Sequence, residues 1–126
     1  MKRYALKTFL AIVVLVTLQF FILNPAVAES DCNIVCEGSF VIDEIDTAAD
    51  LETLSGCTTV TGDLAIEYLS LTSLQALKCL AHVGGNLVIW YNRALCTSFA
   101  EALKDRLVES GGTGGSINIS MNKPGC

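Results

Sequence analysis

The sequence predicts an α/β repeat fold, a short right-handed solenoid of the β-helix kind with one parallel sheet of about four rungs and short connecting helices. The first observation is the pattern Gly-x-apolar-x-Ile, which occurs four times, beginning at Gly38, Gly62, Gly85 and Gly115. The second is the spacing of these glycines, 24, 23 and 30 residues, which is typical of stacked strand-plus-connection units. We therefore expect one strand from each copy and a connection with some helix between copies.

The N-terminal residues have the three parts of a signal peptide. Three basic residues among the first seven precede an apolar run from Thr8 to Leu23, and Ala26 and Ala28 form an Ala-x-Ala exit. We expect cleavage after Ala28, so that residues 1–28 are the signal peptide and residues 29–126 form a single domain. The alternative is an uncleaved membrane anchor, since the stretch from Thr8 to Ala28 carries no charge and could nearly span a bilayer.

The four strands are expected to share one pattern of inward and outward side chains. Side chains alternate between the two faces of a strand, so two apolar positions in each copy point into the core and the positions between them point to solvent. The inward columns are Phe40, Leu64, Leu87, Ile117 and Ile42, Ile66, Ile89, Ile119. The outward columns are Val41, Ala65, Val88, Asn118 and Asp43, Glu67, Trp90, Ser120. The recurring glycine suits a corner at which a side chain would be in the way.

The three connections carry helical signals of increasing length. Residues 47–54 favour one or two turns, and residues 72–80 favour a short helix or tight turn with their leucines on one face. In the third connection, Ser98 and Glu101 have the spacing of a capping box, and Phe99, Leu103 and Leu107 follow at helical intervals. Two successive glycines at 111 and 112 should end that helix.

Charge and cysteine content restrict the function. Residues 29–126 keep all 13 acidic residues and five of the eight basic ones, a net charge of −8, so no nucleic-acid partner is expected. All six cysteines lie in the same part, which predicts disulfides and an oxidising compartment: secreted, periplasmic or cell surface. Cys32 and Cys36 lack a partner pair at zinc-finger spacing and His82 is the only histidine, so neither a metal nor another cofactor is expected.

Part of the chain resembles a known family. The segment Cys57-Thr-Thr-Val-Thr-Gly-Asp-Leu-Ala-Ile66 is similar to the Cys-x-x-Val-x-Gly-Asn/Asp-Leu-x-Ile signature of receptor L domains, the leucine-rich-repeat-like ligand-binding halves of insulin- and epidermal-growth-factor-type receptors. Val83-Gly-Gly-Asn-Leu-Val-Ile89 looks like the next rung, and the resemblance extends from Cys32 to Asn92. The segment from Leu95 to Cys126 is similar to the closing unit of exported bacterial proteins with such repeats. The resemblance implies a leucine-rich-repeat-like solenoid and a propensity to bind a ligand, but not signalling.

The same resemblance bears on the disulfides. In the family the cysteine of the opening segment bridges to the one before the second rung, which implies Cys36–Cys57 here. Our second pair is Cys96–Cys126, which would tie the last residue back across the third connection, and Cys32 with Cys79 is the pair that remains. Six cysteines allow many other pairings.

The candidate ligand-binding residues lie around the single tryptophan. Trp90 belongs to an outward column beside Glu67 and Val88, and Tyr68 and Tyr91 come one position later. Trp and Tyr are the residue types most enriched at binding hot spots. The alternative is that Trp90 covers the sheet locally or packs under a neighbouring loop.

We expect a binding function rather than catalysis. The acidic segment from Asp43 to Glu52 lacks the spacing of a calcium loop and is interpreted as a solvated face. Asp43 and Glu67 on adjacent rungs would suit a β-helix hydrolase only if they lined a cleft. The expected function is an exported, non-enzymatic module that recognises a protein or glycan through the outer face of its sheet. The alternative is a self-associating structural protein of the cell envelope, and a membrane partner is expected only if the N-terminal segment is uncleaved.

Overall fold

The computed structural model describes residues 31–46 and 48–126. The expected signal peptide (residues 1–28), the start of the domain at residue 29 and Thr47 lie outside the described residues. The described part is an α/β structure with parallel strands in two sheets and few helices. Its strands are β1 (Ile34–Cys36), β2 (Phe40–Ile42), β3 (Cys57–Val60), β4 (Leu64–Glu67), β5 (His82–Val83), β6 (Leu87–Trp90) and β7 (Ile117–Ser120). Its helices are α1 (Ala48–Glu52) and α2 (Thr97–Glu109), with a 3-10 turn at Gln75–Leu77.

The larger sheet contains one strand from each copy of the glycine pattern. Its strand order is β2-β4-β6-β7, and every neighbouring pair is parallel. Phe40 pairs with Leu64, Leu64 with Leu87, and Leu87 with Ile117. The register is therefore the one that aligning the four glycines predicts.

The prediction of one parallel sheet is wrong, because a second sheet runs beside the first. It has the order β1-β3-β5 and is also parallel, and an isolated bridge from Val83 to Thr113 continues it by one position. Its strands have only two to four residues and end just before the glycine corners. Each copy therefore contributes two strands joined at a glycine, except the last, which contributes β7 and the Thr113 bridge.

The glycines at the corners are required by close packing between successive copies. A Cβ on Gly62 would overlap Ser39, one on Gly85 would overlap Asp63, and one on Gly115 would overlap Asn86. The overlapping groups belong to a ladder of hydrogen bonds from backbone amides to side-chain oxygens. The backbone amide of Asp63 donates to the Ser39 hydroxyl at 2.9 Å, and that of Asn86 donates to the Asp63 carboxylate at 2.7 Å. The backbone amide of Ser116 donates to the side-chain oxygen of Asn86 at 2.8 Å. Each copy is thus bonded to the one before it at the corner.

The core lies behind the larger sheet, where the inward columns meet leucines of the connections. Leu64, Ile66, Leu87 and Ile89 are fully buried, whereas Phe40 and the inward residues of β7 are only partly buried because they lie on the outermost strands. The connections supply Leu51, Leu54, Leu74, Leu77, Leu80, Leu103 and Leu107 to the same cluster.

The connecting segments form as expected except at the start of α2. No side chain caps this helix, whose N-cap is Cys96, and Ser98 lies inside it, so the predicted capping box is wrong. The helix begins two residues earlier than that box requires, since its N-cap is Cys96 and not Ser98. Its buried residues are Ala100, Leu103 and Leu107, and Phe99 is 50% exposed. The glycines after α2 do end it: the Gly112 amide donates to the Leu107 carbonyl at 2.6 Å.

The six cysteines form three disulfides, as predicted. They join Cys32 to Cys79, Cys36 to Cys57 and Cys96 to Cys126, the pairs named above. Each closes a loop of 47, 21 or 30 residues, worth about 3–4 kcal/mol apiece in the chain-entropy account. Such a framework is typical of an oxidising, extracellular environment. Among residues 31–46 and 48–126, no helix is long and apolar enough to cross a membrane.

Candidate functional site

The candidate binding residues come together at one end of the outer face of the larger sheet. Glu67 on β4 pairs directly with Trp90 on β6, and Ala65 pairs with Val88 one step earlier. All four side chains are partly exposed, which fits their outward columns. Tyr68 and Tyr91 follow immediately, so the register that aligns the strands also aligns the two tyrosines.

Three aromatic rings are in mutual contact there. The rings of Tyr68 and Trp90 meet edge to face with centroids 4.9 Å apart and planes at 77°. Tyr91 lies 5.0 Å from Tyr68 and 5.7 Å from Trp90, in tilted arrangements. These are favoured geometries for aromatic pairs, each worth about 0.5–1.5 kcal/mol beyond the area it buries. The three side chains therefore form a single fixed surface, which we call the ring cluster.

The backbone at the ring cluster adopts an unusual conformation. Tyr68 and Tyr91 both have φ of +57°, and Met121 at the corresponding place after β7 has φ of +58°. Residues other than glycine pay roughly 1–2 kcal/mol for this left-handed conformation, and bulky side chains rarely adopt it. The turn places each of these side chains at the surface: Tyr68 is 42% exposed and Met121 61%. Strained residues held in place by their surroundings are concentrated at functional sites.

Two buried asparagines hold this backbone. Asn92 is fully buried; its side-chain oxygen accepts from the Leu69 amide and its Nδ2 donates to the Ile66 carbonyl, both at 2.9 Å. Asn122 repeats the contact one copy later, with Nδ2 donating to the Ile89 carbonyl at 2.8 Å. These bonds fix the chain on both sides of Tyr68.

Arg93 was not singled out from the sequence, yet it lies against the ring cluster. Its guanidinium carbon is 4.4 Å from the centroid of the Tyr91 ring, and Nη2 donates a hydrogen bond to the Tyr91 hydroxyl. The signal for it was weak, because a lone arginine two residues after a tyrosine is common on any surface. The contact shows that a cation fits the face of Tyr91.

An acidic groove adjoins the other side of the ring cluster. It has a volume of about 260 Å³ and is lined by Glu44, Asp46, Ala48, Tyr68, Leu69, Ser70 and Leu71. The Asp46 carboxylate accepts from the Asp43 amide at 3.1 Å, and the Asp43 carboxylate accepts from the Ile45 amide, also at 3.1 Å. These two carboxylates therefore shape the turn after β2. The groove is lined by neither Asp43 nor Glu67, the pair considered for hydrolysis.

A second groove, of about 300 Å³, lies between α2 and the 3-10 turn. It is lined by Ser73, Leu74, Gln75, Phe99, Ala102, Leu103 and Arg106. The Arg106 side chain is already used there, since Nη2 donates to the Leu77 carbonyl at 2.6 Å. This groove offers one exposed aromatic ring, whereas the ring cluster has three rings, of which Tyr68 is exposed and Trp90 and Tyr91 are partly exposed.

The five predicted ligand-binding residues thus lie on one side of the larger sheet, at the ends of β4 and β6. They are Glu67, Tyr68, Val88, Trp90 and Tyr91. Within the described part of the chain no group of three or more His, Cys, Asp or Glu residues is arranged to hold a metal ion. A scan against protein-family models finds no match to the chain, and comparisons with curated proteins and with solved structures find none either.

Proposed function

We propose that the protein is an exported, non-enzymatic binding module that recognises a protein or glycan through the outer face of its larger sheet. The observation that carries this proposal is the ring cluster of Tyr68, Trp90 and Tyr91, three aromatic side chains in contact at a partly exposed surface. Large rigid rings provide contact area at a low cost in conformational entropy. Their fixed arrangement means that little ordering is left for a ligand to impose.

The proposed architecture is a short right-handed solenoid of about four rungs, similar to a receptor L domain. Support comes from the unbroken parallel register across β2, β4, β6 and β7, and from the glycine corners that repeat at each copy. In such a fold the outer sheet face is a flat platform whose side chains come from successive rungs.

The proposed location is outside the cytoplasm, after removal of residues 1–28. The three disulfides support it, since they persist in oxidising compartments. Intact mass of the protein from an exporting host, before and after reduction, tests this. A chain that starts at Glu29 and gains six hydrogens on reduction is the expected result, and a full-length chain with free thiols would contradict it.

The binding proposal is tested with defined glycan and peptide arrays probed by the purified protein and its variants. Trp90→Ala and Tyr68→Ala should each abolish the strongest signals, because each removes a ring from the cluster. Phe99→Ala is the matched control, since it removes an exposed aromatic side chain from α2. Equal losses in all three variants, or no loss in the first two, would refute the proposal.

A second candidate function is a self-associating structural protein, favoured by the first edge strands. Ile34, Val35 and Val41 on β1 and β2 are 47%, 56% and 58% exposed, and Ile45 just after β2 is 87% exposed. Unpaired apolar edges are templates for association. Sedimentation velocity over a range of concentrations tests it: Val41→Lys should abolish a concentration-dependent oligomer, and Trp90→Ala should leave it intact.

A further inference from the structure

The surface around the ring cluster changes character from strand to strand. The two residues that follow the last inward isoleucine can be compared from strand to strand: Asp43 and Glu44 after β2, Glu67 and Tyr68 at the end of β4, and Trp90 and Tyr91 at the end of β6. Glu67 pairs with Trp90, and Glu44 lines the same groove as Tyr68. We call these six residues the acidic-aromatic strip. Neighbouring parallel strands lie about 4.8 Å apart, so the strip passes from carboxylates to rings within about 10 Å.

The charge near the strip is strongly negative. Its carboxylates are Asp43, Glu44 and Glu67, and Asp46 lines the adjoining groove with Glu44. Arg93 is a cation in contact with one of the rings, that of Tyr91. Carboxylates grouped on one surface of a protein that is acidic overall attract cationic partners and accelerate their encounter.

Two other basic residues, Lys104 and Arg106, make their hydrogen bonds away from the strip. The Lys104 ammonium on α2 donates to the Glu101 carboxylate, and this hydrogen bond raises the pKa of Lys104. Arg106 on the same helix donates to the carbonyls of Leu77 and Leu80. Neither charge neutralises the strip.

The rings are suited to the same kind of partner. The guanidinium of Arg93 already lies over the Tyr91 ring at 4.4 Å from its centroid, which shows that this ring face accepts a cation. Such contacts are worth about 0.5–1 kcal/mol where exposed and more where a partner excludes water. A partner's arginine or lysine could occupy ring faces of the cluster while neighbouring basic side chains reach Glu67 and Glu44.

We infer that the acidic-aromatic strip binds an arginine- or lysine-rich segment of a partner protein. This rests on the proposed binding function and makes it more specific, because a neutral glycan could stack on the rings and hydrogen-bond to the carboxylates but would gain no charge attraction from them. The segment would cross the strands, with one basic side chain against the rings and others beside the carboxylates of the β2 and β4 ends.

The single tryptophan provides a direct measurement. Trp90 is the only tryptophan in the chain, so its fluorescence reports on the strip without labelling. The experiment titrates the protein with an oligo-arginine peptide, an oligo-glutamate peptide and a neutral gluco-oligosaccharide, each at low and high salt. Only oligo-arginine should change the Trp90 emission, and its affinity should fall as salt is raised.

Variants separate a defined site from general attraction between opposite charges. Glu67→Gln and Glu44→Gln should each weaken oligo-arginine binding by about 2–5-fold, the range for partly exposed ion pairs. Glu109→Gln on α2 removes the same charge elsewhere and should leave the affinity unchanged. Tyr68→Leu keeps every charge and should also weaken binding, because it removes a ring.

The outcomes distinguish this inference from the function on which it rests. If the oligosaccharide alters Trp90 emission and oligo-arginine does not, the inference is wrong while the binding function stands. If Glu109→Gln weakens binding as much as Glu67→Gln, the attraction is diffuse and the inference also fails. If no probe alters the emission and Trp90→Ala leaves the array signals intact, both fail.

Discussion

Asn92 and Asn122 are hydrogen-bonded to each other inside the protein, with Nδ2 of Asn92 donating to Oδ1 of Asn122 at 3.1 Å. The backbone N–H of Asn92 donates to the same oxygen, also at 3.1 Å. The pair lies directly beneath the backbone that carries the ring cluster. Its integrity therefore links the stability of the fold to the shape of the candidate site.

Asn92→Ala should destabilise the protein by about 2–4 kcal/mol, because it leaves the buried Leu69 amide without its side-chain acceptor and removes the bonds from Asn92 to the Ile66 carbonyl and to Asn122. Asn118→Ala is the control: Asn118 lies on β7 but is exposed and bonds only to Ser120 among the contacts described, so a change within about 0.5 kcal/mol is expected. Denaturant unfolding with the disulfides intact measures both. Similar losses for the two variants would show that burial of the amide network is unimportant.

Gly84→Ala should be more harmful than Gly38→Ala. The added methyl on Gly84 would overlap the backbone carbonyl of Thr61, which cannot move without shifting the whole strand, so a loss of about 1–3 kcal/mol is expected. Gly38 has open space around it but a φ of +103°, so its cost is conformational alone, about 1 kcal/mol. The midpoints of thermal unfolding rank the two variants, and the reverse order would contradict the close-packed corner.

Met121→Asn should stabilise the protein by about 0.5–1 kcal/mol. Asparagine tolerates the left-handed conformation better than methionine does, and Met121 is 61% exposed, so little packing is lost. Tyr91→Asn relieves the same conformation but also loses two ring contacts and the Arg93 contact, so it should not stabilise. Stabilisation by Tyr91→Asn would mean that the rings contribute less than the backbone conformation costs.

Removing the three disulfides one at a time, by paired Cys→Ser substitutions, should cost similar amounts, about 3–4 kcal/mol each. Loop-closure entropy depends only on the logarithm of loop length, so loops of 21, 30 and 47 residues differ little. Unfolding of the three double variants under one set of conditions compares them. A single bridge that outweighs the others by more than about 2 kcal/mol would point to a native-state role beyond chain entropy.

The larger sheet was predictable because its signal is repeated. Gly-x-apolar-x-Ile occurs four times with the same spacing inside each copy. Aligning the glycines alone places Glu67 beside Trp90, since each lies five residues after its glycine. The second sheet was not predicted, because its strands are short: β5 has only two residues, His82 and Val83, which are too few to show an alternating pattern. The apolar residue shortly before each corner, such as Val60 or Val83, is the signal that could have revealed it.

Five residues of the candidate surface were predictable from the sequence, whereas Arg93 and the backbone geometry were not. An outward column places Trp90 on the surface, yet nothing in the sequence predicts φ of +57° at Tyr68 and Tyr91, because bulky residues disfavour it and a hydrogen-bond network imposes it. The position of Arg93 depends on that same turn. The start of α2 was predicted two residues too late, because Cys96 and not Ser98 is the N-cap and no side chain caps the helix.

The ladder of Ser39, Asp63, Asn86 and Ser116 makes the molecule extensible in principle. Every link has the same form, a backbone amide of one copy donating to a side-chain oxygen of the copy before, and the interior copy from Gly62 to Gly84 makes this kind of bond on both sides. Duplicating that stretch of 23 residues would present matching surfaces to its neighbours and lengthen the sheet by one strand. A gene encoding such a chain can gain or lose length in whole copies. An insertion or deletion of one or two residues at a corner would instead break the ladder.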